Sequence, residues 1–168
     1  ISKADMATIV NIVAERQEIE NLGGLEYCVN MESLAVPFNN ISDISPLSSL
    51  TNLKELDLTS NKVSNLAALS GLKNLQILRL ASNQISDIYP LTPLVNLECL
   101  DLGANKIDDI SPVKQLTGLK EFSIASNPIT DISALLYLKT LKKHDLSSIS
   151  TRDFTLLSEL KSLNVLDM

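Results

Sequence analysis

The sequence predicts an α/β solenoid of stacked coils, with a parallel β-sheet along one side and short 3₁₀-like or helical returns along the other. Three observations predict it. Lines of 22 residues beginning at Ile9, Met31, Leu53, Leu75, Leu97, Leu119, Leu141 and Leu163 stack without an insertion. Over seven complete repeats, positions 1, 4, 6, 11, 14, 17 and 20 hold apolar residues in 47 of 49 slots, where a 45% apolar composition would supply about 22. Only 4% of residues are aromatic, so the core must be aliphatic. A fixed period of this length is the mark of a repeat architecture, whose units bury their apolar groups only by stacking on one another.

Each part of the repeat follows from its spacing. Positions 4 and 6, such as Leu56 and Leu58, lie two apart and share one face of a short strand. The wider spacing of positions 11, 14, 17 and 20 suits a tight return segment. Position 9 carries Asn39, Asn61, Asn83, Asn105 and Asn127. An amide there can donate and accept at once, satisfying backbone groups of neighbouring coils as a structural ladder. Position 13 is Asp or Asn throughout: Asn21, Asp43, Asn65, Asp87, Asp109, Asp131 and Asp153. It precedes Ser45-Pro46 and Ser111-Pro112, with Tyr89-Pro90 a variant, which reads as capping of the return turn. Calcium is the alternative for this row of carboxylates, but its members come from different coils and lack clustered partners.

Two slots break the pattern, both in the seventh repeat. His144 takes a core position and Thr151 another, while Ile149 replaces the ladder asparagine. Phe154, Leu157 and Leu160 keep the register, so the coil is expected to form in a distorted shape. His144 reads as a partly buried replacement of a core leucine; it has no sequence partner for a metal site or a catalytic triad.

The totals restrict the function classes. With 14 Lys and Arg against 20 Asp and Glu in 168 residues, the net charge is −6. That sign disfavours nucleic acid, which needs a basic face to displace counterions, and docking on an anionic membrane. There is no run of 18 apolar residues and no leader of secretory type. Two cysteines, Cys28 in a core column and Cys99 on the strand's outer face, exclude a disulfide framework and should not pair with each other. Asn40-Ile41-Ser42 matches a glycosylation sequon, which matters only for a secreted chain of a eukaryotic host. No phosphate loop, nucleophile elbow or metal-binding pair is present, so no catalytic residue, metal or cofactor is assigned and a binding module rather than an enzyme is expected.

The repeat L-x-x-L-x-L-x-x-N-x-I-x-D-I-x-x-L-x-x-L-x-x resembles the 22-residue leucine-rich-repeat class typified by bacterial internalins. The stretches NNISDISPLSSLTNLKELDL (Asn39 to Leu58) and GGLEYCVNMESL (Gly23 to Leu34) carry the resemblance most strongly. The opening segment resembles the later part of the cap-to-first-repeat region of such proteins. The resemblance implies a right-handed horseshoe with the parallel sheet on its concave face. It also implies an adhesion-type module of the bacterial cell surface or secreted fraction, which recognises a protein partner through that face. An intracellular regulatory scaffold of the phosphatase-regulatory kind, or a structural spacer, stands as the alternative. In this frame residues 1–8 are expected to be the remnant of an N-terminal cap, 9–162 seven repeats, and 163–168 the start of a truncated eighth. An uncapped end there would expose Leu163, Leu166 and Met168.

Alternation along each strand turns positions 3, 5 and 7 outward onto the concave face. The partner-binding candidates are therefore Glu55, Asp57, Ile77, Arg79, Cys99, Asp101, Glu121, Lys143 and Asp145. Arg79 falls between Asp57 and Asp101, one strand spacing from each. Two readings stay open: a surface ion-pair ladder of those three residues, or an acidic patch of Glu55, Asp57, Asp101 and Glu121 for a basic partner. Phe38 is the only aromatic residue expected near this face.

Overall fold

A computed structural model describes residues 2–151, 155, 158 and 165–167. Eight three-residue strands form one parallel sheet in strict chain order. They are β1 Asn11–Val13, β2 Ser33–Ala35, β3 Glu55–Asp57, β4 Ile77–Arg79, β5 Cys99–Asp101, β6 Glu121–Ser123, β7 Lys143–Asp145 and β8 Val165–Asp167. Every pairing advances by 22 residues, so Glu55 faces Ile77 and Ile77 faces Cys99. Ladder bonds continue past the strand ends: Leu58 N–H donates to Arg79 O at 2.9 Å, and Ser60 N–H to Ala81 O at 2.8 Å. The chain is thus a leucine-rich-repeat solenoid with the sheet on its concave side.

The returns are 3₁₀ turns at Leu25–Tyr27, Ser45–Ser49, Ala67–Leu69, Tyr89–Leu91, Ser111–Gln115 and Ser133–Tyr137. The position-13 side chains sit one residue ahead of the cap residue and accept from the turn's first N–H. Asp43 Oδ1 takes the Ser45 N–H at 2.8 Å, and Asp109 takes that of Ser111 at 2.7 Å. Asn65, Asp87 and Asp131 act in the same way, whereas Asn21 accepts the Gly23 N–H, ahead of the turn at Leu25–Tyr27. The Ser45 hydroxyl adds a bond to Asp43 Oδ2 at 3.0 Å. These bonds hold the carboxyls of Asp43 and Asp131 below the usual carboxylate range. Asp153 lies outside the described residues. Among those described, no group of three or more His, Cys, Asp or Glu could hold a metal ion.

Between sheet and returns runs one continuous aliphatic core, from Leu22 to Leu146, with most members wholly buried. The asparagine ladder threads its edge. Asn61 Oδ1 accepts the Ile41 N–H at 3.0 Å, while its Nδ2 donates to Val36 O in the preceding coil at 3.0 Å and to Leu58 O at 3.1 Å. Asn39, Asn83, Asn105 and Asn127 repeat the arrangement. A second amide column runs at position 22, where Asn52 Nδ2 reaches Val29 O and Asn74 Nδ2 reaches Thr51 O, both at 2.9 Å. Position 8 adopts the left-handed region in all seven repeats, from Arg16 to Ser148, always without glycine. This unfavourable conformation turns the chain out of the strand, and from Asn39 to Asn127 the ladder amide beside it supplies compensating bonds.

At the start of the chain, Lys3–Met6 forms a single helical turn, α1, with Ser2 and Asp5 as a capping box. In the seventh repeat Ile149 is half-buried against the core, and Ser150 N–H still reaches Ile129 O at 2.9 Å. The coil keeps its strand despite the substitutions. Phe154, Leu157, Leu160, Leu163 and Met168, and the side chain of Leu166, lie outside the described residues.

Candidate protein-binding face

The strands present positions 3 and 5 outward. Glu55, Glu121 and Lys143 are exposed, while Asp57, Ile77, Arg79, Cys99, Asp101 and Asp145 are half-buried. Arg79, Cys99, Asp101, Glu121, Lys143 and Asp145 come together around a shallow concavity of about 170 Å³ across β4 to β7. Glu55, Asp57 and Ile77 lie beyond its edge on β3 and β4. The dent exists because small residues stand between larger ones: Ser123 occupies position 5 between Asp101 and Asp145, and Gly103, Ala125 and Ser147 occupy position 7. Leu100, Phe122 and Ser123 complete its lining.

The charges here are not paired as a ladder. Arg79 is in register with Asp57 and Asp101, but the ion pairs of the described residues join Arg16 to Glu15, Lys54 to Glu32 and Lys120 to Glu98 instead. The ladder reading of position 5 is thus not met, and the two pairs that cross between coils, Lys54–Glu32 and Lys120–Glu98, lie at position 2. The physical reason is a competing acceptor role. Asp57 Oδ1 accepts the Thr59 N–H at 2.9 Å, Asp101 that of Gly103 at 3.0 Å, and Asp145 that of Ser147 at 2.9 Å. These local bonds turn each carboxylate along its own strand. Around the concavity three carboxylates, Asp101, Glu121 and Asp145, stand against two cations, Arg79 and Lys143.

Cys99 lies within the concavity and is a free thiol, as is the buried Cys28. Burial pushes the Cys99 thiol up; Arg79 and Lys143 oppose this, while Glu121 and Asp101 add to it. It is accessible but not activated as a nucleophile. Phe38 is exposed beyond the strand end, with the Arg16 guanidinium 4.2 Å above its ring. His144 is wholly buried, not partly, and faces the core. Sequence reasoning missed the aspartate turns of position 5, although Asp57, Asp101 and Asp145 at one column with small residues two places on were a visible signal.

The model of the family described as leucine-rich repeats in two copies matches residues 29–72, 73–115 and 96–137. The chain belongs to the leucine-rich-repeat family. Among solved structures, an internalin of Listeria monocytogenes, inlF, matches 99% of the chain at 32% identity with a TM-score of 0.96. Internalin C2 of the same organism matches 99% at 30% identity with a TM-score of 0.79, and the chain covers 83% of it. A leucine-rich-repeat protein of Leptospira interrogans shares the fold at 23% identity, with a TM-score of 0.84. The chain spans about half the length of the first and third, at 49% and 50%. No curated protein matches the sequence. The chain is thus internalin-like. No helix among the described residues is long and apolar enough to cross a membrane.

Proposed function

We propose that this internalin-like solenoid is an adhesion-type module of the bacterial cell surface or secreted fraction. Its concave sheet receives a protein partner carrying exposed lysine or arginine. The observation that supports this reading is the concavity itself. Asp101, Glu121 and Asp145 surround it without an ion-pair partner among the described residues, and Glu55 and Asp57 extend the negative field beyond its rim. Two of those carboxylates are already oriented by backbone N–H groups, so less side-chain freedom is lost when a cation docks. Ile77 and Cys99 provide the less polar ground on which a partner's aliphatic stem can lie. Arg79 and Lys143, at the two ends, would select register by repelling a misplaced cation. The surface and secreted setting rests on likeness to the two Listeria internalins.

The test uses peptides of equal length and graded net charge, measured against the wild type and a triple variant, Asp101→Asn with Glu121→Gln and Asp145→Asn. Binding that rises with positive charge, weakens with salt and fails in the variant supports the reading. Binding indifferent to charge, or equal in both proteins, contradicts it.

A further inference from the structure

One ionisable ring is buried where the first six repeats place only Ile12, Leu34, Leu56, Leu78, Leu100 and Phe122. His144, on β7, is 0% exposed. Its ring stacks on Phe122 with centroids 5.3 Å apart and planes 14° apart. Its Nδ1 lies 2.7 Å from Phe122 O. A carbonyl oxygen only accepts, so Nδ1 carries the proton and Nε2 holds the bare lone pair. Nε2 is the one buried side-chain nitrogen or oxygen without a hydrogen-bond partner among the described residues.

Among the described residues, only the charge of Asp145 and the bond to Phe122 favour a second proton, and burial outweighs them. On its own strand Lys143 and Asp145 occupy outward positions, and Asp145 Oδ1 is committed to the Ser147 N–H. On β6 Glu121 is likewise outward and exposed, and on β8 Asp167 stands in register beside Asp145. The described return side of the sixth coil is apolar, built of Ile129, Ile132, Leu135 and Leu138. Among the described residues, His144 is the only buried side chain able to become a cation. An imidazolium here would be a buried charge whose Nε2–H meets no acceptor among the described residues.

We propose that protonation of His144 unseats β7 from the sheet, so that mild acid loosens the Lys143–Asp145 strand and removes one wall of the concave face. Burial holds the imidazole down at about 4, against an ordinary 6.5, with the bond to Phe122 and the charge of Asp145 opposing. Because the seated value is the lower one, the unseated form binds more protons between those two pH values. Seating is complete above 6.5 and weakens steadily as pH falls toward 4. The strand carries Lys143 and Asp145, both of which line the concavity. Loss of partner with acid rests on the concave-face reading; the opening itself does not.

Hydrogen exchange at pH 7 and pH 5, corrected for intrinsic rates, tests it. The reporters are the Ile124 and Ser126 amides, which donate to Asp145 O and Ser147 O, and the Lys143 amide, which donates to Lys120 O. Their protection should fall by about 20-fold at the lower pH, the ratio set by the two proton affinities. His144→Leu should abolish that step and keep the protection seen at pH 7; His144→Phe serves if the leucine variant misfolds, since Phe122 shows that the column accepts an aromatic ring. No step in the wild type, or the same step in the variant, overturns the proposal. Cationic-peptide binding at the two pH values separates the readings: exchange that steps while binding does not leaves the acid opening standing and overturns the concave site.

Discussion

Asp101 Oδ1 accepts the Gly103 N–H at 3.0 Å, and this short turn separates two properties of one side chain. The bond needs an acceptor, whereas recognition of a cation needs a charge. Asp101→Asn should therefore change stability by less than about 0.5 kcal/mol while weakening the binding of cationic peptides. Asp101→Ala should lose both, because the Gly103 N–H, in a buried residue, loses its acceptor. Urea unfolding and peptide titration of the two variants check this.

The ladder amides carry more than any residue of the concave face. Asn83 accepts the Val63 N–H at 2.9 Å and donates to Leu58 O, Leu80 O and Ala81 O at 2.9, 3.0 and 3.2 Å. Asn83→Ala orphans these buried groups and should cost about 1–3 kcal/mol. Chemical denaturation measures it directly.

Core truncation should cost more again. Leu80 is wholly buried, so Leu80→Ala should destabilise by about 2–5 kcal/mol, the spread reflecting how far neighbouring coils close the void. Equal losses from Leu80→Ala and Asp101→Asn would contradict the separation of core from face.

Acid also acts through the position-13 turns. The carboxyls of Asp43 and Asp131 are lowered first by the backbone N–H of Ser45 and Ser133 and then by those serine hydroxyls. Their contribution is present above the ordinary value of 3.8 and disappears as pH falls through the lowered ones. Asp43→Asn with Asp131→Asn should flatten the pH dependence of stability in that acid range without altering the step assigned to His144.

The architecture was legible because burial recurs: Leu56, Leu78 and Leu100 occupy one column, and a stacked repeat is the arrangement that buries them together. The Asn61 ladder was legible for the same reason. The second amide column, at Asn30, Asn52, Asn74 and Asn96, was visible as a pattern, yet its partners are carbonyls of the preceding coil that only the fold supplies. Position 8 gave no sign, since Ser60, Ala104 and Phe38 share no chemistry that announces a left-handed backbone. On the concave face, columns followed from alternation, but rotamers did not. The order of charges pointed Asp57 and Asp101 toward Arg79, and only the small residues two places on signalled their turn to Thr59 and Gly103.

The most direct measurement is the alkylation rate of Cys99 with and without a saturating cationic peptide. Cys99 stands inside the concavity, and the other thiol, Cys28, is wholly buried and silent. The concave-face account predicts that the bound peptide slows alkylation several-fold and that the Asp101, Glu121 and Asp145 triple variant shows no such protection. Unchanged alkylation while the peptide is demonstrably bound would contradict it and move recognition to another surface of the solenoid.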